Sequence, residues 1–244
     1  MKRDEFQWGS PALDRDVVVV RYGHYGRPVL WFPTSQGDHH EGERQGLIDA
    51  VAPLITAGRI KLYHATSITQ EAWYDPDLSA AKRAAMQTLW DRYVADELLP
   101  FIKEECNDTA QRLLVGGASF GAYNAVNTAC KRPAWFEAVI ALSGVFDLGP
   151  WYKSDEPNLD YYFNSPILYL PNLGDGAQLE AVRQLTFHVA TGRGRYEMPH
   201  ESVRLARILA EKGVPHELVV EGAETHHDWA AWRRWLPELL ARFA

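Results

Sequence analysis

The sequence has few cysteines, no excess of basic residues and no long apolar run. Only two of its 244 residues are cysteines, Cys106 and Cys130, too few for a disulfide framework and without the paired spacing of a zinc site. Acidic side chains outnumber basic ones by 32 to 25, and the charge of −7 argues against nucleic acid or an anionic membrane as the main partner. The longest apolar stretches, such as residues 17–20 and 139–142, are far too short to span a bilayer.

The beginning of the chain also lacks the apolar segment of a secretory signal, since Met1-Lys2-Arg3 runs directly into acidic residues. We therefore expect a cytoplasmic protein with no nucleic-acid or membrane partner. A hydrophobic content of 46% supplies enough apolar material for one large core. Because there is no internal repeat and no Gly-, Ser- or Pro-rich linker, residues 1–244 are predicted to form a single domain.

Short β-branched runs alternate with longer amphipathic segments along the chain. The first two predicted strands, 17–21 and 29–32, flank a Gly-containing turn and indicate an N-terminal hairpin. Later strands are predicted at 60–64, 113–116, 138–142, 186–190 and 217–220, and helices at 43–57, 80–106, 122–129, 202–211 and 229–243. This alternation predicts an α/β sandwich with a mostly parallel sheet and helices on both faces. Residues 144–176 are predicted to be loops with at most one short helix, and 145–176 are a candidate cap.

The pattern Gly117-x-Ser119-x-Gly121 directly follows a predicted buried strand and opens a predicted helix. This context is typical of a nucleophile elbow, whose turn is so tight that glycine is needed two residues before and after the serine. The turn also directs the helix N-terminus and the N–H of Phe120 towards a developing oxyanion. Ser119 is therefore the predicted nucleophile. A structural serine in a small-residue turn remains the alternative, because this pattern alone is weak.

An activated serine needs a general base, which at neutral pH is usually histidine. His226 and His227 lie just after the last predicted strand, where a loop can bring an imidazole over the elbow. In this architecture the acid lies between the serine and the histidine in the chain. The acids that satisfy this order include Asp147, Asp175, Glu197 and Glu201. Glu197, in the loop after the penultimate strand, is the first choice, and Asp147 is the second.

The sequence does not indicate a cofactor or a metal. Ala122 and Tyr123 stand where a phosphate-binding loop needs lysine and a hydroxyl residue. The run His39-His40-Glu41-x-Glu43 suggests metal ligands, but it lacks the His-Glu-x-x-His spacing, and a charged loop is the commoner explanation. We therefore expect no metal site.

These residues resemble the putative-esterase family of α/β-hydrolases, which includes S-formylglutathione hydrolases, feruloyl esterases, enterochelin esterases and mycolyltransferases. The resemblance covers residues 28–243 and rests on the elbow, on Ala141-Leu142-Ser143-Gly144 and on His227-Asp228-Trp229-x-x-Trp232. It implies the α/β-hydrolase fold. It also favours His227 over His226, because the family's catalytic histidine stands directly before x-Trp. The family's acid follows the penultimate strand, as Glu197 does.

The sequence departs from the family in the loop that should complete the oxyanion hole. Many members carry His-Gly there, whereas this chain has Phe32-Pro33-Thr34-Ser35-Gln36-Gly37. Because a backbone N–H can bind an oxyanion whatever its side chain, we expect Ser35, and after it Thr34, to donate alongside Phe120. Trp73 and Tyr74 are the candidate substrate-binding residues, with ordinary packing an equal alternative.

The predicted function is a serine carboxylesterase that hydrolyses short-chain, polar or aromatic esters of small molecules through an acyl-enzyme. Ser119 attacks the carbonyl, His227 transfers the proton and Glu197 orients the imidazole. No cofactor is implied. An acyltransferase or thioesterase would use the same residues, because an acyl-enzyme does not dictate the second nucleophile. A non-catalytic binding or assembly protein on the same scaffold is the remaining alternative.

Overall fold

Eight strands form one mixed sheet in the computed structural model, which describes residues 1–108 and 111–243. The strands are β1 (Arg3–Ser10), β2 (Arg15–Tyr22), β3 (Arg27–Phe32), β4 (Ile60–Ala65), β5 (Leu113–Ala118), β6 (Phe136–Leu142), β7 (Thr186–Thr191) and β8 (His216–Val220). Their order across the sheet is β1-β2-β4-β3-β5-β6-β7-β8. From β4 to β8 all neighbours are parallel, while β2 is antiparallel to both β1 and β4.

The α-helices are α1 (Glu41–Arg44), α2 (Leu47–Thr56), α3 (Thr69–Ala72), α4 (Ala80–Tyr93), α5 (Leu99–Cys106), α6 (Phe120–Lys131), α7 (Gly149–Tyr152), α8 (Leu159–Phe163), α9 (Pro166–Tyr169), α10 (Ala177–Val182), α11 (Pro199–Glu211) and α12 (Trp229–Leu240). A π-helical turn, Val94–Leu98, joins α4 to α5, and 3₁₀ turns cover Pro133–Trp135 and Leu170–Asn172. No helix among the described residues is both long and apolar enough to cross a bilayer.

Helices cover both faces of the sheet, so the predicted α/β sandwich is confirmed. On one face, α4, α6 and α11 contribute Trp90, Val126 and Leu205 to the core. On the other face, α2 and α12 contribute Val51 and Leu236. The central strand β5 is buried along its whole length, because a parallel strand covered on both sides exposes neither face.

The sheet begins with a hairpin, but its strands are β1 and β2. The predicted pairing of residues 17–21 with 29–32 is wrong, because β4 lies between β2 and β3 and pairs with both. The link between β2 and β3 crosses the start of β4: a side chain at Gly26 would overlap the backbone of Arg59 and Ile60. Gly26 also has a φ of +96°, so both the close backbone contact and the left-handed conformation favour glycine here.

The segment 144–176 differs from its prediction as loops with at most one short helix. It contains α7, α8, α9 and a 3₁₀ turn. Each of these helices is five residues or shorter, so no sustained amphipathic period marks them in the sequence. The side chains of Tyr152 and Tyr161 stack with ring centroids 4.0 Å apart and join α7 to α8.

The carboxyl ends of the parallel strands lie along one edge of the sheet. The loop after β3 carries Ser35, and Ser119 directly follows β5. Glu197 follows β7 and His227 follows β8. Open α/β sheets place their ligands at this edge, so the topology assembles the candidate residues from four separate stretches of chain.

Candidate active site

Ser119 stands at the sharp turn between β5 and α6. Its φ of +56° and ψ of −122° are strained for a residue with a side chain, as a nucleophile elbow requires. Its N–H donates to the carbonyl of Leu142 at 2.9 Å, which ties the elbow to the end of the neighbouring strand β6.

The two glycines of the elbow are required by close packing. A side chain at Gly117 would overlap the carbonyl carbon of Gly121, and one at Gly121 would overlap the carbonyl oxygen of Phe32. The first contact is the steric conflict predicted from the sequence. The second places the loop after β3 directly against the start of α6.

His227 lies in the loop between β8 and α12, immediately before the Asp228 side chain that caps α12. Its N–H donates to the carbonyl of Arg195 at 3.1 Å, so the loops after β7 and β8 are held together. Its ring packs edge-on against Trp232, with ring centroids 5.1 Å apart. His227 Nδ1 is buried without a hydrogen-bond partner among the described residues, and Glu197 Oε2 lies 3.7 Å away.

The carboxylate of Glu197 is fully buried and accepts two hydrogen bonds. Ser143 Oγ donates to Oε1 at 2.6 Å, and Thr191 Oγ1 donates to Oε2 at 2.9 Å. Burial alone raises the pKa of Glu197, but the His227 imidazole and these hydroxyls outweigh it and hold the pKa below that of an ordinary carboxyl. Glu197 is therefore an ionised carboxylate at neutral pH, directly beside an imidazole.

Ser143 is a site residue whose contacts sequence reasoning missed. It follows β6 with a φ of +46°, and its hydroxyl accepts a hydrogen bond from Trp232 Nε1 at 3.0 Å while donating to Glu197. Its N–H donates to the carbonyl of Ala190 at 2.7 Å. The available signal was the strand end Ala141-Leu142-Ser143-Gly144. Trp232, which the family resemblance includes only as the end of the motif that begins at His227, also orders this network.

His226 and three further histidines of the chain lie in different surroundings. His226 is exposed, and its Nδ1 accepts the N–H of Arg195 at 2.9 Å. His64 is completely buried, and burial lowers its pKa to about 3. His188 Nδ1 is 3.2 Å from Glu217 Oε2, and His24 is exposed in the link between β2 and β3.

The other acids considered make contacts elsewhere. Asp147 pairs with Arg204 at 3.1 Å, and Asp175 is an exposed residue paired with Arg183. Glu201 accepts the N–H groups of Phe146 and Asp147 at 3.0 and 2.8 Å. Of the four acids, Glu197 is the one that forms an ion-pair contact with His227 in the described part of the chain.

The backbone N–H groups of Phe120 and Ser35 both lack a hydrogen-bond partner in the described part of the chain. Phe120 is the first residue of α6, where an N–H has no partner within the helix. The N–H of Ser35 has no hydrogen-bond partner among residues 1–108 and 111–243. Thr34, the second choice, already donates its N–H to Glu41 Oε2 at 2.8 Å.

The adjacent aromatics Trp73 and Tyr74 are separated by the fold. Trp73 is 2% exposed and donates its Nε1 to the buried Gln87 at 2.8 Å, so it belongs to the core. Tyr74 is 37% exposed, and its ring centroid lies 5.6 Å from that of Phe120. Trp151 of α7 completes this cluster, 4.9 Å from Phe120 and 6.0 Å from Tyr74.

The histidine pair that suggested a metal lies beside β1. Ligand atoms of Glu5, His39 and His40 lie within 4.8 Å of one another. His40 Nε2 is already hydrogen-bonded to Glu5 at 3.1 Å. Glu41 and Glu43, from the same stretch of sequence, are not part of this cluster. Glu41 accepts a hydrogen bond from Thr34, and Glu43 forms an ion pair with Arg3.

Solved structures with the same fold include several esterases. A ferulic acid esterase matches with a TM-score of 0.76 and 17% identity, over 99% of this chain and 97% of its own. An S-formylglutathione hydrolase from Agrobacterium tumefaciens matches with a TM-score of 0.73 and 13% identity, over 99% and 94%. The fluorophosphonate-binding serine hydrolase F of Staphylococcus aureus matches with a TM-score of 0.68 and 13% identity, over 99% and 98%. No curated protein sequence matches the chain.

The sequence itself carries the family assignment, because identities this low establish the fold alone. Residues 63–243 match the family described as Putative esterase, and this stretch extends from β4 to beyond α12. It therefore contains the elbow and the loops after β7 and β8. The chain belongs to this esterase family and is a carboxylic ester hydrolase.

Proposed function

We propose that this esterase hydrolyses short-chain or aromatic carboxylic esters through an acyl-enzyme formed on Ser119. The observation that carries the proposal is the contact between the buried Glu197 carboxylate and the His227 imidazole, at the same sheet edge as the elbow. Ser143 bonds Glu197 and directly follows Leu142, whose carbonyl holds the Ser119 N–H. These contacts connect the backbone of Ser119 to Glu197 and His227, which supports the proposal.

Acylation begins when Ser119 Oγ attacks the ester carbonyl carbon and His227 takes the hydroxyl proton. The carbonyl oxygen becomes an oxyanion, which accepts hydrogen bonds from the N–H groups of Phe120 and Ser35. Collapse of the tetrahedral intermediate breaks the bond to the alkoxy oxygen. The imidazolium gives its proton to that oxygen, and the alcohol leaves.

Deacylation repeats these steps with water as the nucleophile. His227 accepts a proton from water, the hydroxide adds to the acyl carbonyl, and the proton returns to Ser119 as the carboxylic acid leaves. In both halves Glu197 stabilises the imidazolium. The 3.7 Å between His227 Nδ1 and Glu197 is longer than a hydrogen bond, and such catalytic contacts commonly tighten when substrate binds.

Replacement of Glu197 by glutamine should lower kcat by about 10³- to 10⁴-fold, as loss of a triad carboxylate does in serine proteases. The amide lacks the charge that stabilises the imidazolium. Its NH₂ also replaces one of the two carboxylate oxygens that accept hydrogen bonds from the Ser143 and Thr191 hydroxyls in the unmodified enzyme. Steady-state hydrolysis of p-nitrophenyl acetate measures the loss, and circular dichroism checks the fold.

Asp147→Asn and Asp175→Asn are the matched controls for this prediction. Both remove a carboxylate that precedes the histidine in the chain, but their partners are the surface residues Arg204 and Arg183. Each variant should keep kcat within about twofold of the unmodified enzyme. If Asp147→Asn were the damaging change, the acid would follow β6 and the assignment to Glu197 would be wrong.

The surroundings of Phe120 support a short or aromatic acyl group. Tyr74 and Trp151 flank the ring of Phe120, whose N–H is the proposed oxyanion donor. An aromatic acyl group can pack edge-on or offset against such rings, and these arrangements are favourable for aromatic pairs. One of the enzymes with this fold is named for ferulic acid, an aromatic acid. Trp151 of α7 belongs to residues 145–176, the proposed cap.

A chain-length series should show kcat/KM highest for acetyl to butyryl esters and falling at decanoyl and beyond. A long alkyl chain needs continuous apolar contact worth about 0.8 kcal/mol per methylene, and the segment 149–173 interleaves its aromatics with charged residues. p-Nitrophenyl esters below their micelle concentrations provide the measurement. A maximum at long chains would mean that an apolar tunnel exists.

In the same assay, Trp151→Ala should reduce kcat/KM for a cinnamoyl ester about tenfold more than for an acetyl ester, since the lost ring contact is specific to the aromatic acyl group. Trp135→Ala is the matched control, because Trp135 lies before β6, at the opposite edge of the sheet, and packs on Lys103. Equal losses for both esters in Trp151→Ala would exclude a role for this ring in acyl recognition.

The nucleophile can be tested without knowledge of the natural substrate. A fluorophosphonate probe reacts with an activated serine and should label the enzyme in a pH-dependent manner. Peptide mapping of the adduct should locate it on Ser119. A protein that folds but neither reacts with the probe nor hydrolyses p-nitrophenyl acetate would contradict the proposal.

A further inference from the structure

The side chain of Glu41 lies inside the loop that follows β3. Its carboxylate accepts hydrogen bonds from the N–H of Thr34 at 2.8 Å and from the Thr34 hydroxyl. Gly37 closes the loop around it, because a side chain at Gly37 would overlap the carboxylate. Glu41 is 6% exposed, although it belongs to a charged stretch of sequence.

A carboxylate in such a place is costly unless its hydrogen-bonding capacity is used. Burial raises the pKa of Glu41, and the two bonds from Thr34 act against this rise. Among the described residues no lysine or arginine forms an ion pair with it. Its observed hydrogen-bond partners belong to the loop, so its structural effect is on the shape of that loop.

Between Pro33 and Gly37, the contacts among the described residues leave one half-buried N–H without a partner. Pro33 has no N–H, Thr34 donates to Glu41, and Gly37 donates to the Thr34 carbonyl at 3.2 Å. Gln36 is exposed, whereas Ser35 is half-buried and its N–H has no partner among the described residues. The start of the loop packs on Gly121, next to the elbow.

We propose that Glu41 is a positioning residue that holds this loop in the shape in which the Ser35 N–H binds the oxyanion. The inference rests on the proposed acyl-enzyme function and deepens it. Glu41 touches no reacting atom. In this chain it supplies the rigidity that a preorganised oxyanion hole needs, in a loop that lacks the His-Gly pair.

Glu41→Gln tests the proposal with little change in volume. The amide oxygen can accept the Thr34 N–H, but the amide is uncharged, and its NH₂ forces the Thr34 hydroxyl to change from donor to acceptor. We expect kcat to fall by about 30-fold with KM changed less than about twofold, because a misplaced donor acts on the transition state. The inhibition constant of a trifluoromethyl ketone, whose adduct carries an oxyanion, should rise by a similar factor. A merely structural role would not move these two quantities in proportion.

Glu43→Gln is the matched control. Glu43 lies two residues further along α1 and pairs with Arg3 outside the loop, so kcat and the inhibition constant should stay within about twofold. Thr34→Ser keeps both donors to Glu41 and should retain most of the activity. If Glu41→Gln does not fold, Thr34→Val decides: it removes one donor and should lower kcat severalfold at unchanged KM.

The outcomes separate this inference from the function on which it rests. Wild-type kcat and inhibition in a folded Glu41→Gln, or in Thr34→Val if it replaces that variant, overturn the role of Glu41 and leave the Ser119 mechanism standing. Absence of esterase activity and of probe labelling in the unmodified enzyme and in Glu43→Gln would instead remove the proposed function.

Discussion

Replacement of Ser119 by alanine should lower ester hydrolysis by about 10⁵- to 10⁶-fold, because it removes the proposed nucleophile and leaves only the smaller rate enhancement from substrate binding and the oxyanion hole. The fold should persist, since Ser119 is held by its backbone: its N–H bonds to Leu142 and its carbonyl accepts the N–H of Ala122. Turnover of p-nitrophenyl acetate and labelling by a fluorophosphonate should disappear together.

Ser202→Ala is the matched control for this experiment. Ser202 is a fully buried serine of α11 whose hydroxyl has no hydrogen-bond partner among the described residues. The Ser202→Ala enzyme should therefore keep its turnover and its labelling by the probe within about twofold of the unmodified enzyme. Unchanged turnover in a folded Ser119→Ala protein would show that another residue is the nucleophile.

Replacement of His227 by alanine should have an effect of the same order, about 10⁵- to 10⁶-fold in kcat, because nucleophile and base act as one unit. The substitution also removes a ring that packs on Trp232, leaving a space beside Glu197. Added imidazole should restore part of the activity by occupying that space. The dependence of this rescue on pH should follow the neutral imidazole, which is the form that accepts a proton.

His226→Ala separates the two neighbouring histidines. His226 is exposed, and its Nδ1 accepts the N–H of Arg195, so its loss loosens the loop that leads to Glu197. We expect a fall in kcat of no more than about tenfold, with no rescue by imidazole. A larger effect for His226→Ala than for His227→Ala would shift the catalytic histidine by one residue.

The candidate elbow was accessible from the sequence because its constraint is local. Gly117, Ser119 and Gly121 are so close in the chain that the steric need for glycine follows from the turn itself. The contact between Gly117 and Gly121 agrees with this argument. The strand and the helix on either side could also be predicted, since each is a continuous segment with the hydrophobic pattern of its own secondary structure.

The pairing of the first strands was not accessible in the same way. A short Gly-containing link between two strands usually marks a hairpin. Here the same link crosses β4, whose residues come about thirty positions later. The insertion is stabilised by the pairing of β4 with both β2 and β3, and a local turn pattern carries no information about a strand that comes later in the chain.

The network around the candidate acid shows the same limit. Glu197 and His227 could be selected from chain order and family resemblance, but the motifs that contain Ser143 and Trp232 do not predict what these two side chains contact. The hydrogen bond between them joins the end of β6 to α12, and the two residues are 89 positions apart in the chain. The link exists because strand ends of one sheet meet at one edge.

The sequence by itself determined the α/β class, the elbow at Ser119 and the strand ends from which an acid and a base could come, because each is written in neighbouring residues and their periodicity. The tertiary structure decided what those residues contact. It buried Trp73 while leaving Tyr74 exposed, and it placed Glu41 inside the loop of Thr34. The physical reason is that burial and hydrogen bonding depend on groups from distant parts of the chain, which come together only when the sheet and its covering helices form.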